Sequence, residues 1–408
     1  MEQTKGDVKL IMVTQENNNK FYDMHDNGDG TFIVEWGRVG QNSRKTTYPI
    51  SKWDRMYRNK INKGYQDVTE IYAENDENND TDDYSDIEDP KVQKLVKELQ
   101  SFANKSVSRN YIVSSENVTE KQVEEAQRYI DELVNLDKVD KDRVNMLLLD
   151  IYKIIPRRMN NVRAHLFEEN GGMKLTQENL KRKIESEQNT LDVMRGQVST
   201  NNKTDEIDKQ ISLLDAMGLY IENISDDDLA NIEIMMGPNY KQFRQAFRVT
   251  NYNTENKFQD FINNEAHSPD IKMFWHGSRN ENWWSILDSG LVLRPANAII
   301  TGKMFGYGIY FADQCRKSVN YTSIRGSYWA RGNQNKGYIS LFKVNTGNMY
   351  KVRNHASWML NLDDKKLKKI GPYDSIFAEG GADLRNNEYV VYNQEQVTIK
   401  YIVEIGAA

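Results

Sequence analysis

Apolar and polar residues alternate with a period of two through most of the first fifty positions. Residues 8–13, 20–24, 31–36 and 45–50 each read as a half-buried strand. Between the second and third, Asp26-Asn27-Gly28-Asp29-Gly30 supplies residues that adopt positive φ cheaply, and predicts a hairpin turn. That stretch lacks the downstream bidentate glutamate of a calcium loop. The period then lengthens: Trp53, Met56, Tyr57 and Ile61 share a helical face, with Ser51 placed to cap it. Residues 74–89 hold almost nothing apolar and predict a flexible linker. From Pro90 the helical period returns in Val92, Leu95, Val96, Leu99 and Phe102. Thr119-x-x-Gln122 has the form of a capping box ahead of Val123, Ala126 and Ile130. A third stripe, Val144, Leu147, Leu148, Ile151 and Ile155, stops at Pro156. A looser one, Leu180, Ile184, Leu191 and Met194, ends at Gly196, after which 196–203 reads as a polar loop. Beyond it, strands are expected at 243–249 and 271–275, with a helix around 258–262 between them.

At 408 residues, with 38% hydrophobic and a formal net charge of −6, the chain has core material for two or three globular domains. No run approaches the ~18 apolar residues that span a bilayer, and the first residues lack the basic-then-apolar layout of a signal peptide. The single cysteine, Cys315, excludes an internal disulfide and Cys-rich zinc modules. It fits a reducing compartment and reads as a packed thiol. Charge is unevenly spread. Between 36 and 65 stand Arg38, Arg44, Lys45, Lys52, Arg55, Arg58, Lys60 and Lys63 against Asp54 alone. Cations beside aromatic rings suit nucleic acid, where phosphate meets charge and a base or sugar meets a flat ring. The alternative is a solvated helix face over a core tryptophan. Residues 74–89 reverse the sign with nine carboxylates, which with Ser85 could accept automodification or serve as a plain spacer.

Four short segments carry the chemistry. Phe274-Trp275-His276-Gly277-Ser278 is a buried strand breaking at a step where glycine admits a close approach to the backbone. A glycine-rich turn, Gly302 to Gly308, leads into Ile309-Tyr310-Phe311-Ala312-Asp313. Lys317-Ser318-Val319-Asn320-Tyr321 and Asn387-Glu388-Tyr389-Val390-Val391-Tyr392 follow. In that order they resemble the catalytic domain of the poly(ADP-ribose) polymerases, the NAD+-consuming ADP-ribosyltransferases. Trp36-Gly37-Arg38 among its strands resembles the WGR domain, and the helical stretch resembles the regulatory domain of DNA-dependent members. No Gly-x-Gly-x-x-Gly joins a strand to a helix, so the phosphate grip of a Rossmann dehydrogenase is missing.

The resemblance implies a multidomain α+β chain. It would hold a β-rich WGR DNA-binding domain (1–73), an acidic flexible linker (74–89) and an all-α regulatory bundle (90–200). An α+β ADP-ribosyltransferase domain with mostly antiparallel sheets would follow (201–408). It also implies residue roles. Glu388, His276 and Tyr310 form the catalytic signature, with Glu388 on the nicotinamide-ribose 2′-hydroxyl and the acceptor. Gly277 and Ser318 hold the carboxamide, Tyr321 stacks on the nicotinamide, and Ser278, Phe311 and Lys317 complete the NAD+ contacts. Trp36, Gly37, Arg38, Arg44 and Lys45 would meet DNA. NAD+ is expected as substrate, with no metal. The expected partners are DNA strand breaks and acceptor proteins, the chain itself included, with no membrane. The expected location is nuclear in a eukaryote and otherwise cytoplasmic or nucleoid-associated. Glu388 is notable on its own account, because a carboxylate among apolar strand residues is rarely accidental. Three departures stand out: Arg294 is displaced by two positions, Asn386 stands where polymerising relatives often carry tyrosine, and the 360–386 segment is short. A mono-ADP-ribosyltransferase and a DNA-end-binding scaffold with an idle catalytic domain are the alternative readings.

Overall fold

The computed structural model describes residues 5–69, 87–113, 115, 118–136, 138–168, 173–205, 212–264, 268–293, 304–325 and 332–407. The chain divides into two compact units, residues 1–79 with 105–198 and residues 80–104 with 199–408. Most of the expected acidic linker, together with Arg294 and Gly302, lies outside the described residues.

In the first unit, β1 (Val8–Val13), β2 (Asn19–Asp26), β3 (Thr31–Arg38), β4 (Arg44–Pro49) and β5 (Gln66–Asp67) form an antiparallel sheet in the order β4-β3-β2-β1-β5. Alternation sends Tyr22, Met24, Phe32 and Val34 to one face, where Leu10 and Trp53 of α1 (Trp53–Asn62) join the core. The turn between β2 and β3 is tight. Asp26 Oδ1 accepts from Gly28 N at 2.9 Å, and Gly28 and Gly30 take φ of 71° and 86°. The expected Ser51 cap is not made. A 3-10 turn, Ile50–Lys52, runs directly into α1, so Ser51 sits inside the turn and not at the extended residue that an N-cap requires.

The helical stretch comprises α2 (Pro90–Asn110), α3 (Glu120–Val134), α4 (Lys141–Ile154) and α5 (Gln177–Asp205). Thr119 and Gln122 close the expected capping box on α3, and Gln122 Nε2 donates to Ile154 O at 2.8 Å. Leu147, Leu148 and Ile151 are buried. Beneath them Arg157 and Lys183 converge on Glu187, which also accepts from the Tyr152 hydroxyl at 3.1 Å. The loop expected at 196–203 is instead helix. Val193, Met194, Gln197, Val198 and Thr200 are all buried, so packing on both sides of Gly196 outweighs its poor helix propensity.

The second unit contains α6 (Leu213–Ala216), β6 (Leu219–Asn223), α7 (Asp226–Met236), β7 (Phe243–Asn251), α8 (Tyr252–Asn264) and β8 (Ile271–Gly277). After them come α9 (Trp283–Ser289), β9 (Ile309–Phe311), α10 (Cys315–Val319), β10 (Lys336–Asn345) and β11 (Met349–Val352). The last elements are α11 (Asp364–Ile370), β12 (Ser375–Ala378), β13 (Glu388–Val391) and β14 (Val397–Gly406). One sheet is antiparallel throughout, in the order β6-β7-β14-β10-β8. The other runs β11-β12-β13-β9, with β11 and β12 parallel. A two-bond bridge between Trp275 and Ala312, at 2.8 and 3.0 Å, ties the sheets together. Trp275, Ile339, Leu341, Val403 and Cys315 pack one core; Phe305, Leu362, Ile376, Val390 and Tyr392 pack the other. Residues 90–104 of α2 belong to this unit, held by Lys336, whose Nζ lies 3.0 and 2.9 Å from the two Glu98 oxygens and 3.0 Å from Glu404.

Candidate active site

The bridge at Trp275 and Ala312 sets the site, because the functional segments lie within a few residues of it on both sheets. His276 follows Trp275 on β8, and its Nδ1 lies 3.1 Å from Tyr310 O on β9. A carbonyl only accepts, so Nδ1 carries the proton and Nε2 presents a lone pair. Trp283, Phe311 and Phe342 surround the ring edge-on, with centroids 5.8 to 6.5 Å from that of His276. This apolar burial lowers the imidazole pKa to about 4, against the opposing pull of the Tyr310 carbonyl. His276 is therefore neutral at physiological pH and able to accept a hydroxyl proton. The Tyr310 hydroxyl donates to Gly306 O at 3.0 Å and accepts from Phe305 N at 3.1 Å. Burial pushes it far above the ordinary phenol range.

Gly277 is required for a reason beyond ligand access. A Cβ there would overlap the Ser318 carbonyl oxygen and stand 2.8 Å from the carbonyl carbon, so α10 can lie against the end of β8 only over a glycine. That contact brings Ser318, buried, and Tyr321, half exposed, beside the His-Gly-Ser step. Ser278 Oγ accepts from Asn282 Nδ2 at 3.0 Å. Phe311 is core, packed on His276 and Phe342.

Glu388 opens β13 and is only 8% exposed. Its Oε1 is paired with Lys317 Nζ, which also donates to Asn387 O at 3.1 Å. Its Oε2 is buried and has no partner among the described residues. A carboxylate oxygen left without a donor costs free energy unless something else binds it. Burial depresses the Lys317 pKa, and Glu388 and Asp313 partly offset that. Two neighbours went unassigned in the sequence although both stand inside the quoted segments. Asn387 Nδ2 donates to Asp313 Oδ2 at 2.7 Å, and Asn387 Oδ1 accepts from Gly380 N at 2.9 Å. Asn386 Oδ1 accepts a long bond from Arg316, at 3.5 Å.

In the first unit, Trp36 packs against Tyr22 with ring centroids 6.4 Å apart, and Arg44, its register partner on β4, is exposed. Lys45 is exposed and lies 3.0 Å from Glu35. Gly37 keeps close contact with the backbone of Asn42 and Ser43, where a Cβ would stand 3.2 and 3.3 Å away. Arg38 is bonded within the unit. It donates to Asn17 O and Oδ1 at 2.9 and 3.0 Å and to Asn160 O at 3.0 Å. Asn17 Oδ1 also accepts from Val162 N at 2.9 Å, so Arg38 sits in a seam between the sheet and the 157–163 segment. Lys52, Arg55, Arg58 and Lys63 remain exposed along and beside α1.

Residues 235–407 match the family model of the poly(ADP-ribose) polymerase catalytic domain, and residues 8–72 match that of the WGR domain. A putative poly(ADP-ribose) polymerase-like protein 100L of Invertebrate iridescent virus 6 is 30% identical over 171 residues, covering 40% of this chain and 86% of that protein. The chain belongs to the poly(ADP-ribose) polymerase family. Uncharacterized protein 101L of the same virus is 34% identical over 204 residues, 49% of this chain and 82% of its own length. Poly(ADP-ribose) polymerase 2 of Arabidopsis thaliana is 26% identical over 478 aligned residues, covering 96% of this chain and 71% of that protein. This polymerase-family chain thus pairs a nucleic-acid-binding WGR domain with an ADP-ribosyltransferase domain that takes NAD+ as substrate. Among the described residues no helix is long and apolar enough to cross a membrane, and no cluster of His, Cys, Asp or Glu could hold a metal ion.

Proposed function

We propose that this chain is a DNA-break-activated ADP-ribosyltransferase that transfers ADP-ribose from NAD+ to proteins, itself included, and extends it into oligo- or poly(ADP-ribose). The observation that carries the reading is Glu388: a buried carboxylate with one oxygen fixed by Lys317 and the other without a partner among the described residues. In the reaction the bond between the nicotinamide nitrogen and the ribose anomeric carbon breaks. Nicotinamide leaves neutral and positive charge gathers on the ribose. An acceptor oxygen then bonds to the anomeric carbon and passes its proton to solvent. Oε2 of Glu388 would take the ribose 2′-hydroxyl and stabilise that charge. The His276 Nε2 lone pair would accept from a ribose hydroxyl of the substrate. Gly277 backbone and the Ser318 hydroxyl would hold the carboxamide, the exposed face of Tyr321 would stack on the ring, and Tyr310 would wall the pocket. Ser278 would hold the substrate from the β8 side, and Phe311 would act through His276, whose ring it buttresses.

The WGR domain, residues 1–73 in this reading, would recognise strand breaks through Trp36, Arg44, Lys45 and the α1 cations. Arg38 would couple the WGR sheet to the helical stretch 90–200 from its place in the seam. Residues 201–408 would form the catalytic domain. Full-length protein, NAD+ labelled in the adenylate, and duplex DNA with or without a nick provide the test, with products resolved by size. Label on the protein that rises with nicked DNA and extends to several units supports the reading. Label indifferent to DNA would overturn break activation. Single units alone would favour mono-ADP-ribosylation, the reading to which Asn386 in place of a tyrosine points.

A further inference from the structure

Behind the Lys317–Glu388 pair lies a second layer that the proposed chemistry does not use. Asn387 is held at both ends of its side-chain amide: Nδ2 donates to Asp313 Oδ2 at 2.7 Å, and Oδ1 accepts from Gly380 N at 2.9 Å. Its backbone carbonyl thereby has a fixed place, and that carbonyl accepts from Lys317 Nζ at 3.1 Å. The next residue is Glu388, which pairs with the same Nζ. Asp313 therefore anchors the peptide on which the pair is built, and its carboxylate adds negative charge beside a buried ammonium. The other Asp313 oxygen, Oδ1, is buried and has no partner among the described residues.

We infer that Asp313 is a positioning residue for the transfer reaction. Through Asn387 it fixes the Lys317 ammonium on Glu388, and by its charge it keeps that ammonium protonated. The inference rests on the proposed role of Glu388. Few ionisable groups face Lys317. Asp313 comes from the turn before α10 and Glu388 from β13. Tyr310 on β9 and Tyr389 on β13 have hydroxyls pushed up by burial, with Glu388 and Asp313 adding to the respective shifts. Arg316 adjoins Lys317 on α10 and is exposed. Burial already lowers the Lys317 pKa, so its ammonium gives up a proton more readily than that of an exposed lysine, and Asp313 is one of the two charges opposing that. Removing its charge while keeping its shape leaves the ammonium easier to deprotonate. Neutral Lys317 no longer holds Glu388 electrostatically, so turnover falls on the alkaline side first.

The test is the pH dependence of nicotinamide release by the full chain, with the non-enzymatic breakdown of NAD+ subtracted at each pH. Asp313→Asn should move the alkaline limb of kcat down by about half to one pH unit, with the KM for NAD+ within about twofold. Adding Lys317→Arg to it should restore activity at high pH, because a guanidinium does not deprotonate there. Lys317→Arg alone should erase the limb, a result that does not depend on Asp313→Asn folding. A limb that survives Lys317→Arg, or an Asp313→Asn profile that superimposes on the unaltered one or falls equally at every pH, would overturn the inference. An unaltered chain that releases no nicotinamide would instead overturn the proposed function.

Discussion

Replacing Gly277 by alanine tests how the site is assembled. The new Cβ would stand 2.8 Å from the Ser318 carbonyl carbon, where ordinary contact begins at 3.4 Å, and closer still to the oxygen. The obstacle is backbone, so no rotamer change relieves it, and α10 must retreat from β8 by about half an ångström or more. Overpacking of this kind costs ~1–3 kcal/mol, which for a unit of this size lowers Tm by roughly 2–10 °C. The catalytic effect should be larger than the thermal one, because α10 also carries Lys317 and Ser318. A displacement near 1 Å at reacting groups costs on the order of 10²-fold in rate. Gly337→Ala is the control. It lies on β10, and the atoms nearest its Cβ belong to the Ile324 and Thr322 side chains, at 3.1 to 3.2 Å. Differential scanning fluorimetry and nicotinamide release on both variants provide the assay. If Gly277→Ala matches Gly337→Ala in Tm and turnover, the close approach of α10 to β8 is not what organises the site.

Glu187→Gln should destabilise the first unit by ~3–5 kcal/mol, because it leaves Arg157 and Lys183 buried without their counter-charge; denaturant titration reads this. Although burial works to raise it, Arg157 and Lys183 hold the Glu187 pKa down to about 2. Its stabilisation is thus present above the unfolded carboxylate value and fades as pH falls from ~4.3 towards 2; acid titration followed by circular dichroism should show the Glu187→Gln protein losing that pH dependence. Arg38→Ala should lower DNA stimulation of turnover more than it lowers DNA affinity, since its guanidinium bonds Asn17 and Asn160, whereas Trp36→Ala should lower both; parallel binding and activity titrations decide. Glu98→Gln, which weakens the hold of Lys336 on α2, should raise DNA-free turnover several-fold if α2 restrains the catalytic unit, a coupling of ~1 kcal/mol. Cys315, buried and with its thiol pushed up to about 12, should resist iodoacetamide in the folded protein and react only after unfolding.

The WGR strands were readable because one face is buried and period-two alternation reports burial directly, as Tyr22, Met24, Phe32 and Val34 show. The turn at Gly28 and the box at Thr119 were readable because each is a local bargain between neighbouring residues. Ser51 and Gly196 misled for the converse reason. Local propensity lost to a 3-10 turn in one case and to buried contacts on both sides in the other. The segments of the candidate site could be found by resemblance, but their geometry could not. Lys317 and Glu388 are 71 positions apart, and Asp313 reaches Asn387 across 74. Nor does the helical period around Leu95 and Leu99 disclose that the first part of α2 belongs with the catalytic sheets, since its ties, such as Lys336 to Glu98 across 238 positions, are distant in sequence.

The proposed chemistry depends most directly on Glu388, and nicotinamide release from NAD+ by the 408-residue chain and by its Glu388→Gln variant tests it. The substitution keeps size and hydrogen bonding while removing the charge opposite Lys317. The unaltered chain should release nicotinamide, and the variant should do so ~10²–10³-fold more slowly while still binding NAD+. A variant that turns over at near the unaltered rate would contradict the catalytic role of Glu388.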